Sequence, residues 1–291
     1  MVSSDHKDLP LSWLITSATG EPQSTSLSRY VRTFEDYARV DFAIGDNDPV
    51  YFAVARARKE WGYDWAARFC VGMLAYYDMG VAARAADIEG SAFWGHLKHI
   101  YPTASRGNMR RHFRGNGGVL TLQSMIDFSP RPEDFFKRLP SVYTDLIKLA
   151  NRDLYGFGNM FVLKIADYMD RCLGHTVVGM HHLHKFLPTQ PAKAVKLLYP
   201  TDTVDYGFKA LCFRINQLGL LAPPYYDRPV GPAEVETALC DWKTAKYGTN
   251  WLGSDIIAKR YTLKGYGDKA AAMSEWLPPN VPQDLFILEL E

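Results

Sequence analysis

Cysteine is scarce: the 291 residues hold four, Cys70, Cys172, Cys212 and Cys240, and no two of them form a C-x-x-C pair. That spacing argues against a zinc ribbon, a clustered iron–sulfur site and a disulfide framework, and it fits a reducing compartment. Net charge is scarce as well. Lys+Arg 33 against Asp+Glu 32 leaves +1, so no chain-wide basic field marks a polyanion partner, and any such site must be a local patch. No uninterrupted apolar stretch reaches about 18 residues, and "MVSSDHKDLPLSWLITSATG" lacks a basic segment followed by a long apolar run. Neither membrane insertion nor export is expected, and a cytoplasmic location is. The chain also lacks a fixed-period repeat, a low-complexity tract and a G-x-x-x-x-G-K-[ST] loop, the last counting against a P-loop kinase.

What the chain does have is apolar residues, 47 %, enough to build a large core. Alternating strand-like segments are few, and helical spacing dominates. "SLSRYVRTFEDYARV" sets Tyr30, Phe34, Tyr37 and Ala38 on one face, and "DPVYFAVARARKEWG" offers Asp48 as N-cap with Pro49 at the first helical position. "DWAARFCVGMLAYYDMGVAARAA" is apolar all round and reads as a central core helix. The expected fold is mainly α, one compact domain over 1–291, with sub-lobes 1–125 and 126–291 and a hairpin at 141–173. "SRGNMRRHFRGNGG" gathers Arg106, Arg110, Arg111 and Arg114, the strongest local positive patch in the chain.

In "DLYGFGNMFVLKIADYM", Leu154, Gly156, Gly158, Val162, Ile165 and Ala166 have the layout of a helix end, a tight glycine turn and a second helix beginning at the second glycine. Glycine permits the turn and lets a phosphate approach the N–H groups of the new helix. Gly156, Gly158 and Asn159 are therefore expected to hold a DNA backbone without reading its sequence. An ordinary helix–helix turn is the competing reading.

This run resembles the helix-hairpin-helix motif of the DNA glycosylase superfamily, roughly L-x-G-x-G-x-x-x-A. In that superfamily a segment of the type V-D-T-H comes next, whose Asp supports glycosidic cleavage, and many members carry a Lys just after the second glycine. The matching segment here, "TVVGMHHLHKF", has no Asp: Gly179, Met180 and His181 occupy the neighbourhood and His182 matches the family's His. Asn159 and Met160 stand where the Lys is expected, and Lys164 lies a further helical turn along. A glycosylase-like scaffold without hydrolytic residues resembles a phage family, the α-glutamyl/putrescinyl thymine pyrophosphorylases or amino acid:DNA transferases. The likeness covers "GDNDPVYFAVARARKEW", the hairpin, and "EVETALCDWKTAKYGTNWLGSDI".

The resemblance implies a helix-hairpin-helix glycosylase-like fold and the transfer of an amino acid, through its amine, onto the phosphate-activated hydroxymethyl group of hydroxymethyluracil in DNA, with loss of (pyro)phosphate. The implied partners are double-stranded DNA carrying the activated base, a free amino acid and a separate DNA kinase. No cofactor is fixed by the sequence; a divalent metal accompanying the leaving phosphates stays open. Arg110, Arg111 and Arg114 are candidates for the leaving group, since guanidinium forks match phosphate oxygens. His181, His182 and His184 are candidates for proton transfer or phosphate contact. Glu236, Cys240 and Lys243 share a helical face by spacing; the resemblance makes Glu236 a base or amine anchor, Lys243 a carboxylate or phosphate contact, and Asp255 a second acid. Two rivals remain: a DNA glycosylase using Asp167 or Asp255, and a non-catalytic DNA-binding protein.

Overall fold

A computed structural model describes residues 10–107 and 115–290. The chain is mainly α-helical, and its sheets are two-stranded. Among the described residues no helix is long and apolar enough to cross a membrane. The residues cluster into two compact units. One takes in the chain up to Phe52, Leu183–Ala258 and the chain from Leu277 onward; the other takes in Ala53–His182 and Lys259–Trp276.

The first unit opens with an antiparallel hairpin of β1 (Leu11–Thr16) and β2 (Pro22–Leu27), in register Leu11↔Leu27 to Thr16↔Pro22. β3 (Tyr30–Val31) pairs in parallel with β4 (Ile287–Leu288). Tyr30, expected on a helix, is thus on a strand, and α1 runs Phe34–Ile44. The late start has a local cause. Thr33 Oγ1 accepts from the Asp36 N–H at 3.1 Å while Asp36 Oδ2 accepts from the Thr33 N–H at 3.1 Å, a reciprocal cap that fixes the first turn. The same unit holds α9 (Thr189–Leu198), α10 (Val204–Asn216), α11 (Pro232–Lys246) and the start of α12 (Ser254–Thr262). α1 packs on α11 through Phe34 against Trp242, edge to face at 6.0 Å, and on α10 through the Glu35–Arg214 ion pair at 2.7 Å.

The second unit holds most of α2 (Val50–Trp61), which begins one residue after Pro49 as expected. α3 (Tyr63–Tyr76) is buried from Trp65 through Tyr76, the central core helix that its apolar girth implied. It lies close on α4 (Met79–Ala86), because Gly72 faces Ala82 with no side chain between them. α5 (Gly90–Ile100), α6 (Gly115–Phe128), α7 (Tyr143–Asp153), α8 (Asn159–Asp167) and α13 (Asp268–Trp276) complete it. Trp61 stacks near Trp65 and Trp276 at 4.5 and 4.9 Å, and Lys269 caps this aromatic group while pairing with Asp87 at 2.7 Å.

Candidate active site

The glycine turn of the second unit forms where local chemistry demands it. α7 ends at Asp153, Gly156 takes φ +78°, and α8 starts behind Gly158. A β-carbon at Gly156 would be strained by that φ and would come within 2.8 Å of Thr121 Oγ1 on α6. Gly158 differs. Its backbone is extended, with φ −76° and ψ 178°, and nothing stands within 4 Å of where its β-carbon would be. Gly156 therefore serves the turn, while Gly158 keeps an open approach to the N-terminus of α8, with Asn159 as its first residue. The exposed Tyr155 at the tip is tied down by its N–H donating to Ser124 Oγ at 3.0 Å.

The groups a glycosylase would need are not presented at this hairpin. Lys164 is buried and ion-paired with buried Asp167 at 3.7 Å. Asp170 Oδ1 accepts from the Val177 N–H at 3.4 Å. The strand-like pairing of Val142 with Val178, through Tyr143 N–H to Val178 O at 2.9 Å, brings the histidine segment to the start of α7. His181 and His182 lie on a short 3-10 turn, Met180–Lys185, with ring centroids 4.1 Å apart, His181 exposed and His182 half-buried. His184 faces Asp205 of α10 at 3.2 Å. Arg110, Arg111 and Arg114 lie outside the described residues. Arg106 of the same patch is a structural residue, its guanidinium donating to Tyr101 O and stacking 4.7 Å over the Tyr101 ring.

In the first unit, residues far apart in sequence form a nest of carboxylates. Asp41 is on α1, Asp46 and Asp48 come shortly after it, Asp241 is on α11 and Asp255 opens α12. Asp46 caps α12, its Oδ2 accepting from the Gly253 N–H at 2.6 Å and its Oδ1 from the Ile256 N–H at 3.0 Å. Gly253 can make that approach because it holds φ +100° and packs directly on Val281. Asp41 Oδ2 accepts from the Asn47 amide at 3.0 Å, and the same amide reaches Glu234 O at 3.3 Å. Glu236 is buried on α11, and Thr237 Oγ1 lies 3.3 Å from Glu236 Oε2 and 3.2 Å from Asp48 Oδ2.

Crowded buried carboxyls resist ionisation. Burial, then Asp46, pushes the Asp41 carboxyl well above the ordinary range. Burial and the Asp255 charge push Asp46 up to about 7, against the pull of the backbone N–H groups it accepts from. Asp241, which keeps part of its surface exposed, is raised by burial of its carboxyl and by Asp255. The Tyr37 phenol is raised too, by burial first and Asp41 second. An acid poised near 7 suits proton transfer from an amine at working pH.

Lys243, on the far part of α11, turns toward α9. Its Nζ donates to Gln190 Oε1 at 3.0 Å, and it lines a groove of about 620 Å³ with Lys193, Lys196, Leu197 and Tyr247. Cys240 is half-buried on α11 between these two regions of the helix.

The sequence model of the amino acid:DNA transferase family matches residues 43–249. The chain belongs to that family. It is 32% identical over 255 residues to a putrescinyltransferase of Delftia phage PhiW-14, covering 83% of this chain and 82% of the relative. It is 28% identical over 251 residues to a glycinyltransferase of Pseudomonas phage PaMx11, covering 74% and 84%. The matched segment of this transferase contains the hairpin, the histidine turn, Asp46, Asp48, Glu236 and Asp241. Of the residues in and beside the nest, Glu236 and Asp255 are expected from the sequence; Asp41, Asp46, Asp48 and Asp241 are not expected there. The cue is present in "GDND", an acidic run directly ahead of an apolar helix, where solvent-facing charge would not be expected.

Proposed function

We propose that the transferase joins an amine to the exocyclic methylene of hydroxymethyluracil in phage DNA after a separate DNA kinase has phosphorylated that hydroxymethyl group. The amine nitrogen forms the new C–N bond, the C–O bond to the phosphate breaks, and the electron pair leaves on the (pyro)phosphate. The ammonium gives up one proton before attack and one after it, to a carboxylate of the nest or to solvent. The scaffold is of the helix-hairpin-helix glycosylase type, with the target base flipped from the duplex.

The observation that carries the reading is the fate of the hairpin's own acid and base. Lys164 and Asp167 are buried against each other, so the hairpin can hold a backbone at Gly158 and Asn159 without offering a nucleophile or a carboxylate to the sugar. In this reading Gly156 shapes the turn, His182 is a base or phosphate contact beside the hairpin and His181 supports it. Glu236 and Asp255 belong with the carboxylates, and Lys243 contacts phosphate from its lysine-lined groove. Arg110, Arg111 and Arg114 keep the leaving-group role implied by their sequence.

The test is incubation of the protein with hydroxymethyluracil DNA, phosphorylated or not, together with 1,4-diaminobutane or glycine. A heavier nucleoside that forms only from phosphorylated DNA is the expected result. Free base and abasic sites would establish the glycosylase instead, and DNA binding with no product would leave only a binding protein.

A further inference from the structure

The carboxylate nest specifies the amine co-substrate more closely, on the premise that the chain is the DNA transferase proposed for it. Asp41, Asp46, Asp48, Asp241 and Asp255 come from four segments, and their charges act on one another. Several donors near them are already engaged: the N–H groups of Gly253 and Ile256 by Asp46, the Asn47 amide by Asp41 Oδ2. Two oxygens are left over. Asp41 Oδ1 and Asn47 Oδ1, on side chains of residues 0 % exposed, have no hydrogen-bond partner among the described residues.

Neither protonation state of Asp41 cures this deficit. Ionised, Oδ1 is a buried acceptor without a donor; protonated there, it is a donor without an acceptor. A surplus of buried acceptors among carboxylates fits a cationic ligand that brings donors. A divalent metal would need several oxygens converging at about 2.0–2.6 Å, and among the described residues no group of three or more His, Cys, Asp or Glu is disposed to hold a metal ion. A primary ammonium asks for less, three acceptors at ordinary hydrogen-bond distance.

We infer that the Asp41–Asn47–Asp48 corner of the nest binds the primary ammonium group of the amine co-substrate, with Asp41 Oδ1 and Asn47 Oδ1 accepting its N–H groups. A diamine and an α-amino acid both carry this group. The nest favours the diamine: the strongest influences on Asp41, Asp46 and Asp241 are burial and other aspartates, with no lysine or arginine among them to receive an amino acid's carboxylate.

Calorimetric titration of the full chain without DNA tests this, with 1,4-diaminobutane, glycine and magnesium chloride as separate probes. Asp41→Asn keeps the shape but turns an N–H toward the ligand once its oxygen pairs with Asn47. Diamine affinity should fall by at least about tenfold, while the melting temperature holds or rises because a buried charge is gone. Asp255→Asn, at the partly exposed first turn of α12, provides a second variant and should also weaken diamine binding. Diamine binding tighter than glycine assigns the diammonium, and the reverse assigns an α-ammonium at the same corner. Unchanged amine affinity in both variants, no amine binding at all, or binding of magnesium alone would overturn the inference. A protein that modifies DNA yet binds amine equally well in both variants refutes this inference and leaves the transferase reading standing.

Discussion

Raising the pH through neutrality should destabilise this protein, and Asp46 should account for much of the loss. Its carboxyl has an ordinary value of 3.8 and is held at about 7 in the fold. A raised folded value means that the native state keeps a proton the unfolded chain has released. The contribution is therefore fully present below about pH 4 and is lost as pH climbs to about 7. A shift of about three units corresponds to something on the order of 4 kcal/mol. Between about pH 5 and pH 8 roughly two thirds of this, about 3 kcal/mol, is read. With an unfolding entropy near ~2 cal/mol/K per residue, that lowers Tm by roughly 5 °C. Asp41 and Asp241 push in the same direction, while His96 and His175, whose imidazoles burial holds below their ordinary value, oppose it on the acid side of neutrality. The assay is thus a comparison: calorimetric melts across this range for the wild type and for Asp46→Asn, which keeps one acceptor for the N–H groups opening α12. The variant should lose most of the slope. Equal slopes in the two proteins would show that Asp46 is ionised throughout and refute the electrostatic argument.

Gly158→Ala should fold with unchanged stability, since its backbone is extended and the space beside it is empty, yet bind duplex DNA of any sequence more weakly, measured by filter retention; unaltered affinity would remove the hairpin from the DNA interface. Gly156→Ala should instead cost about 1–2 kcal/mol in denaturant melts, from its φ and the approach of Thr121. Lys164→Met should lower stability by about 3–5 kcal/mol by leaving Asp167 buried without its cation; a stable, fully folded variant would show that the pair is not structural. His182→Ala should reduce turnover on activated DNA and remove an ionisation near neutrality from the pH–rate profile. His184→Ala, which removes only the contact to Asp205, should leave that profile in place.

The hairpin is legible in the sequence because its causes are local: Gly156 needs its left-handed φ, Leu154 ends one helix, and Gly158 starts the next within a few residues. The core helix α3 is legible from its apolar girth. The β1–β2 hairpin is not, since "PQSTSL" is polar and Leu14 of β1 points to solvent at 62% exposure, so neither strand carries a regular apolar face. Tyr30 is misplaced on α1 by spacing alone, because the helical pattern extends past the point where Thr33 and Asp36 lock the helix start. The carboxylate nest lies beyond sequence reasoning for a different reason. Asp46 and the backbone it caps at Gly253 are separated by about two hundred positions, and spacing rules reach only one or two helical turns. Its two halves, "GDND" and "GSDI", both belong to segments that carry the family likeness, yet nothing in either indicates that they meet.

Whether the exocyclic methylene reacts while the glycosidic bond survives is decided most directly by mass spectrometry of nucleosides from phosphorylated hydroxymethyluracil DNA, treated with the protein and a ¹⁵N-labelled amine. The expected product is a nucleoside that retains the labelled nitrogen, formed in step with released phosphate or pyrophosphate. Unlabelled nucleosides accompanied by free base in solution would contradict the transferase chemistry.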